Sequence, residues 1–95
     1  MTLFEKIVAR QIPADIVYED DQILAFRDIK PQAPVHVLLI PKRLIPRIGE
    51  AEASDAALLG HLLTTVPEVA RRVGVSEGGY RLVINNGRDG GESVP

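Results

Sequence analysis

The sequence predicts a single α+β domain in which an antiparallel sheet packs against a short N-terminal helix and one longer helix. Three observations lead to this prediction. β-type stretches succeed one another in the first half of the chain, a helix-period apolar pattern fills the second half, and another β-type stretch precedes a glycine-rich end. With 95 residues, the chain has room for one domain over residues 1–95 and for a modest core.

The first half should contain the short helix and three strands. Thr2 and Glu5 have the spacing of a capping box, so the helix should begin at Leu3. Proline cannot continue a helix, so Pro13 lies beyond its end. The strands are expected over residues 16–19, 22–27 and 35–40. An acidic turn at residues 20–21 joins the first two, and the mostly apolar third strand is expected in the centre of the sheet.

The longer helix is predicted from apolar residues that recur at helical spacing. These residues are Leu58, Leu62, Val66, Val69 and Val73. Ser54 or Asp55 is a candidate N-cap, and Gly74 is a suitable stop because glycine accepts the left-handed conformation that ends many helices. Pro67 lies inside the pattern and should kink or split the helix.

The end of the chain is predicted to hold a fourth strand, over residues 80–85, and half of a hairpin. Asn-Gly at residues 86–87 and Asp-Gly at residues 89–90 are turn signals that normally join two strands. The second strand is missing from the sequence, which ends at Pro95. We therefore expect four strands here and a domain that is truncated at its C-terminal end.

Composition excludes several classes of function. A formal charge of −2 argues against a broad nucleic-acid interface, which needs a basic face. The absence of cysteine excludes disulfides and thiolate chemistry and fits a reducing compartment. The N-terminus lacks the pattern of a signal peptide, and the longest apolar run, Val37 to Ile40, is too short to cross a bilayer. We expect a soluble, cytoplasmic protein that binds neither nucleic acid nor membrane.

A glycine-rich loop at the end of the chain is one candidate anion site. Gly87, Gly90 and Gly91 can bring backbone N–H groups together, and Asn85 and Ser93 add polar side chains. Glycine loops are common, so the pattern by itself favours a plain β-turn over a binding site.

A second group of candidates lies near the second and third strands. Asp28 can accept hydrogen bonds from two ribose hydroxyls while Phe26 and Ile29 offer apolar surface to a base, although a strand-end aspartate more often binds loop N–H groups. His36, inside an apolar strand, is by itself best interpreted as a hydrogen-bonded core residue. His61 receives no role, and two histidines so differently placed do not indicate a metal site.

Five segments together resemble the histidine-triad (HIT) superfamily, in its Hint-like branch. They are LFEKI at 3–7 with IPA at 12–14, VYEDD at 17–21, LAFRDI at 24–29, PQAPVHVLLIPK at 31–42, and RLVINNG at 81–87 continuing through DGGESV at 89–94. The resemblance implies an α+β fold around a five-stranded antiparallel sheet, in a homodimer that binds nucleoside phosphates. Many members hydrolyse the bond between a nucleoside 5′-phosphate and an amine or another leaving group. A histidine of a His-x-His-x-His motif attacks phosphorus, and water then resolves the nucleotidyl-histidine intermediate.

The resemblance also implies roles for individual residues, and the ligand would be a purine nucleoside monophosphate or phosphoramidate. The base would lie against Leu3, Phe4, Ile7, Ile12 and Phe26, with Ile29 nearby. Asp28 would hold the ribose hydroxyls, and His36 would orient the catalytic histidines. The phosphate would lie among Asn85, Gly91, Glu92 and Ser93. On this view the glycine loop, Asp28 and His36 are functional residues.

The sequence departs from the family pattern at three places. The histidine motif would begin directly after Pro95 and is absent, so no catalytic residue is present and the chain is expected to be inactive. Glu92 stands where glutamine is common, and a carboxylate beside a phosphate is unfavourable unless it turns away or is protonated. Leu44 stands where a histidine often occurs. The cysteines of zinc-binding members are also missing, so we expect neither metal nor cofactor.

Three functions stay open at this point. The chain is part of a nucleoside-phosphoramidate or dinucleotide hydrolase, or a nucleotide-binding module without catalysis, or a dimerisation module. A His-x-His continuation in the gene would favour the hydrolase. Nucleotide binding without turnover would favour the binding module. Dimers that neither bind nor turn over a nucleotide would favour the dimerisation module.

Overall fold

The computed structural model describes residues 3–92 of the chain. Its helices are α1 (Leu3–Val8) and α2 (Ala56–Arg72), and its strands are β1 (Ile16–Glu19), β2 (Ile23–Arg27) and β3 (Val37–Pro41). Short 3₁₀ turns lie at Ile48–Glu50, Ala53–Asp55 and Arg88–Gly90. The α+β class is therefore confirmed, with one short and one long helix beside an antiparallel sheet.

The sheet has the order β1-β2-β3, and both neighbouring pairs are antiparallel. β2 is the central strand of this sheet because it pairs with both β1 and β3, and its residues Ile23 to Phe26 are at most 3% exposed. The prediction that the strand at 35–40 is central was wrong for the described residues, since β3 is only partly buried and pairs on one side alone. β3 begins two residues later than predicted, at Val37, although the Asp28 N–H still donates to the backbone carbonyl of His36 just before the strand.

The two faces of β2 pack against different parts of the molecule. Ile7, Leu24 and Phe26 form a buried apolar cluster that joins α1 to the sheet. Because side chains alternate along a strand, Ile23 and Ala25 point to the opposite face. α2 packs against β1 and β3, and buries Leu58, Val69 and Ala70.

α2 is a single helix of 17 residues that continues through Pro67, where we expected a kink or a break. Asp55 precedes it, but its carboxylate accepts the N–H of Glu52 in the preceding 3₁₀ turn and does not cap α2 itself. Gly74 has a φ of +80° directly after the helix and confirms the predicted stop. The described part of the chain contains no helix that could span a membrane.

The predicted fourth strand at residues 80–85 is wrong for the structure. This segment has no strand pairing, and Tyr80, Leu82, Val83 and Ile84 are between 47% and 64% exposed. A strand is held by hydrogen bonds to a neighbour, and no described segment lies beside this one as a ladder. The described sheet therefore has three strands. Thr2 of the predicted capping box lies outside the described residues.

Candidate functional site

Four of the residues predicted to contact a base, Phe4, Ile7, Ile12 and Phe26, come together on one face of the sheet, and the side chain of Leu3 lies outside the described part of the chain. Ile7 and Phe26 are buried, and Phe4, Ile12 and Ala14 are half-buried against them. The rings of Phe4 and Phe26 meet edge to face, with centroids 6.0 Å apart. The half-buried members provide the surface that a ligand can reach. Ile29 does not join this group, because it is 80% exposed on the loop after β2.

Asp28 directly follows β2 and closes the loop that leads to β3. Its backbone N–H donates to the carbonyl of His36 at 2.9 Å, and its Oδ1 accepts the Lys30 N–H at 2.9 Å. Its Oδ2 lies 3.3 Å from Nδ1 of His36. One carboxylate oxygen therefore caps the loop, as expected for a structural aspartate, while the side chain stays 19% exposed. Oδ2 retains a lone pair for a hydroxyl group.

His36 lies between the Asp28 loop and β3, with a side chain that is 28% exposed. The Gln32 N–H donates to its Nδ1 at 3.0 Å. In the neutral ring that accepts this bond, the proton is on Nε2. Within residues 3–92, the polar contacts of the His36 ring are those of Nδ1 with the Gln32 N–H and with Oδ2 of Asp28. These contacts hold the ring in one orientation, and the supporting role of His36 stays a prediction.

The glycine loop forms a closed turn. Within it, the N–H groups of Gly90, Gly91 and Glu92 donate to the carbonyls of Gly87 and Arg88 at 3.1–3.2 Å. Gly87 and Gly91 have φ values of +74° and +80°, a conformation that favours glycine. These three amides therefore bond within the loop instead of converging on an anion. Asn85 lies near Gly91, whereas Ser93 lies outside the described residues.

The segment after β3 holds the glycine loop at two points. The Gly49 N–H donates to Oδ1 of Asn86 at 2.6 Å, and a Cβ on Gly49 would lie 2.7 Å from that oxygen. The guanidinium of Arg47 donates from Nε and a terminal nitrogen to the two carboxylate oxygens of Glu92, at 3.0 and 3.1 Å. Sequence reasoning missed Arg47, because an isolated arginine 45 positions from its partner carries no signal.

Charge pairing explains how a glutamate fits this loop. Hydrogen bonds from Arg47 hold the pKa of the Glu92 carboxyl below its usual range, with a backbone hydrogen bond from Gly87 acting in the same direction. Glu92 in turn raises the pKa of Arg47, and Glu50, 2.5 Å from the guanidinium, adds to this effect. The Glu92 carboxylate is therefore ionised and directed at Arg47.

A second polar cluster joins the β1–β2 turn to α2. Asp20 accepts hydrogen bonds from the hydroxyl of Tyr18 at 2.8 Å and pairs with Nε2 of His61 at 2.7 Å. Its other oxygen accepts the backbone N–H groups of Gln22 and Ile23. Desolvation raises the pKa of the Asp20 carboxyl, but these hydrogen bonds outweigh it and lower the pKa well below its usual range. The predicted turn is present, and His61 connects it to the helix.

Asp20→Asn is expected to lower the melting temperature at neutral pH and to have a progressively smaller effect as the pH falls below about 4. Because the folded pKa lies below the unfolded value of about 3.8, the ionised carboxylate stabilises the fold above that pH, and the stabilisation disappears as the pH falls. The difference in melting temperature between Asp20→Asn and the wild type should begin to narrow below about pH 4 and should shrink progressively toward pH 2. Asp21→Asn is the control, because exposed Asp21 makes none of these contacts. A deficit that persists unchanged in acid would contradict the assignment.

Other surface features lie away from the predicted residues. A depression of about 440 Å³ is lined by Asp20, Asp21, Gln22 and His61, and another of about 260 Å³ lies between the segments around Arg43 and Asp55. Neither contains a residue predicted to bind a nucleotide. Over residues 3–92, we find no group of three or more His, Cys, Asp or Glu side chains placed to hold a metal.

The family becomes clear when the chain is compared with known proteins. The profile described as "HIT domain" matches residues 9–95. This chain belongs to the HIT family. It is 48% identical over 93 residues to the purine nucleoside phosphoramidase of Escherichia coli K12, covering 98% of this chain and 78% of that protein. It is 60% identical to an uncharacterised HIT-like protein of Synechococcus elongatus, covering 98% of this chain and 81% of the relative.

Solved structures agree with the fold. A HIT family hydrolase from Legionella pneumophila superposes with a TM-score of 0.93 at 48% identity, covering 99% of this chain and 84% of that one. A HIT family hydrolase from Clostridium thermocellum gives a TM-score of 0.93 at 42% identity. The superposition covers 98% of this chain and 81% of that one. The resemblance inferred from the sequence is therefore confirmed, and the chain is similar to hydrolases of this family.

Proposed function

We propose that this chain binds a purine nucleoside 5′-phosphate and forms the nucleoside-binding part of a phosphoramidase. One observation carries the proposal: the partly accessible apolar group around Phe4 and Ile12 lies at the end of the strand that presents Asp28. A base needs apolar surface and a ribose needs a paired acceptor, so the two features suit the two halves of a nucleoside. The name of the E. coli relative supports the same ligand class.

The reaction itself would require a histidine nucleophile. In the proposed scheme, an imidazole nitrogen attacks phosphorus, the P–N bond breaks, and the amine leaves with a proton. Water then cleaves the nucleotidyl-histidine bond and releases the monophosphate. His36 is bonded at Nδ1 by Gln32, and His61 pairs with Asp20 in the separate cluster, so neither is placed for this attack. We therefore assign binding to the 95 residues and hydrolysis to a protein that also carries the histidine motif.

A non-catalytic nucleotide-binding module and a dimerisation module are the alternative functions. Among residues 3–92, β3 pairs on one side only, and its other edge and the exposed apolar side chains of residues 80–84 are surfaces that an added strand or a second subunit would cover. The homodimer and the cytoplasmic location stay predictions.

Calorimetric titration with adenosine, guanosine and their 5′-monophosphates tests the proposed function. Asp28→Asn keeps an acceptor for the Lys30 N–H but removes the charge that would bind the ribose, and it should weaken all four ligands about tenfold. Ser93→Ala should weaken only the monophosphates. Asp21→Asn, on the distant turn, is the control and should change nothing.

Two results would count against the proposal. If neither nucleosides nor monophosphates bind the wild-type chain at millimolar concentration, the dimerisation module becomes the better function. If Asp28→Asn leaves every affinity unchanged, the ribose contact is wrongly assigned and Asp28 serves only to close its loop.

A further inference from the structure

Arg47 and Glu92 form a two-point, partly buried ion pair between distant parts of the chain. Arg47 belongs to the segment after β3, whereas Glu92 ends the glycine loop, so the pair joins regions 45 positions apart in the sequence. Both nitrogens on one edge of the guanidinium engage both carboxylate oxygens, the two-point geometry that arginine and carboxylate favour. The Glu92 side chain is only 17% exposed and that of Arg47 34%, so solvent screens the pair incompletely.

The charge of Glu92 affects the binding of an anion because the residue belongs to the glycine loop, where the phosphate is proposed to lie. A carboxylate within about 6 Å of a phosphate in a medium of intermediate dielectric repels it enough to weaken binding about tenfold. A cation bound to that carboxylate cancels most of this repulsion. Glu50 also contacts Arg47, but its side chain is 52% exposed and its charge is largely screened. Arg88 and Asp89 pair with each other and are almost fully exposed.

We propose that Arg47 is a charge-compensating residue of the phosphate loop, which allows a loop that contains Glu92 to accept an anionic ligand. The inference rests on the proposed function, because it takes the glycine loop as the place of the phosphate. It assigns Arg47 no contact with the ligand. Arg47 neutralises the Glu92 carboxylate and turns it toward the segment after β3.

A double-mutant cycle tests this role, with adenosine and adenosine 5′-monophosphate as the two probes. Arg47→Ala leaves the carboxylate uncompensated and should weaken the monophosphate about tenfold while leaving adenosine unchanged. Glu92→Gln alone should strengthen the monophosphate, because it removes the negative charge. In the Arg47→Ala background, Glu92→Gln should restore the affinity to within about threefold of the wild type. Arg47→Lys, which keeps the charge, should also stay within about threefold.

The outcomes separate compensation from the competing explanations. If the double variant stays as weak as Arg47→Ala, Arg47 contacts the phosphate or holds the loop, and the proposal is overturned. Hydrogen exchange of the Gly90 and Gly91 amides then identifies a loop that has opened. If Arg47→Ala leaves monophosphate binding unchanged, the proposal is also wrong. If the wild-type chain does not bind adenosine, the proposed function is rejected instead, because the expected binding of adenosine does not depend on Arg47.

Discussion

The 95-residue chain is expected to release no measurable monophosphate from adenosine 5′-phosphoramidate, even at concentrations where adenosine binds. Its histidines are His36 and His61, and each is already engaged in a supporting contact. Removing the nucleophile of a covalent enzyme costs about 10⁶ in kcat, which places the residual rate near the background. Phosphorus NMR of the substrate, followed over days beside a protein-free sample, measures this rate.

Extending the chain provides the complementary experiment. Adding His-Leu-His-Leu-His-Val after Pro95 supplies a histidine motif in the place that the resemblance implies, and turnover should rise by several orders of magnitude. The same extension with alanine in place of each histidine is the matched control, because it can restore the strand without the nucleophile. Turnover by the unextended chain that disappears in His36→Ala would show that His36 is the nucleophile and that its supporting role is wrong.

Elements with local signals were predictable from the sequence. The acidic turn between β1 and β2 and the glycine stop after α2 depend on neighbouring residues alone, and both are present in the structure. Residues 80–85 have the composition of a strand, yet strand formation depends on a partner that composition cannot supply. Pro67 does not split α2, because packing of the helix against the sheet outweighs the local preference of proline, whereas the kink expected there stays a prediction.

The candidate site was only partly predictable, for a related reason. The resemblance named Phe4, Ile7, Ile12 and Phe26 together, and the structure brings them into one cluster with its neighbours. The pairing of Arg47 with Glu92 joins residues that no short motif connects. Asp20 and His61 are similarly separated, by 41 positions. Contacts of this kind become visible only when the chain is folded, although the unusual glutamate already indicated that its carboxylate should turn away from a phosphate or be protonated.

The apolar cluster beside α1 is expected to dominate the stability of the domain, and Leu24→Ala measures its contribution. Leu24 is fully buried, with Ile7 and Phe26 as neighbours. Truncation removes several buried methyl groups and leaves a cavity, which costs about 2–5 kcal/mol of unfolding free energy. In a domain of this size that is a large part of the total stability. Urea denaturation with an unchanged m-value would report the loss as a lower midpoint.

Leu63→Ala makes the same substitution on α2, where the side chain is 48% exposed, and should change the unfolding free energy by less than about 0.5 kcal/mol. The contrast matters for function because the cluster around Leu24 also supports the proposed base-binding surface. A folded fraction of Leu24→Ala should therefore bind adenosine more weakly than Leu63→Ala does, since the cavity lets Phe4 and Phe26 shift. Equal midpoints for the two variants would mean that the cluster is not the core, and the proposed base surface would lose its rigid support.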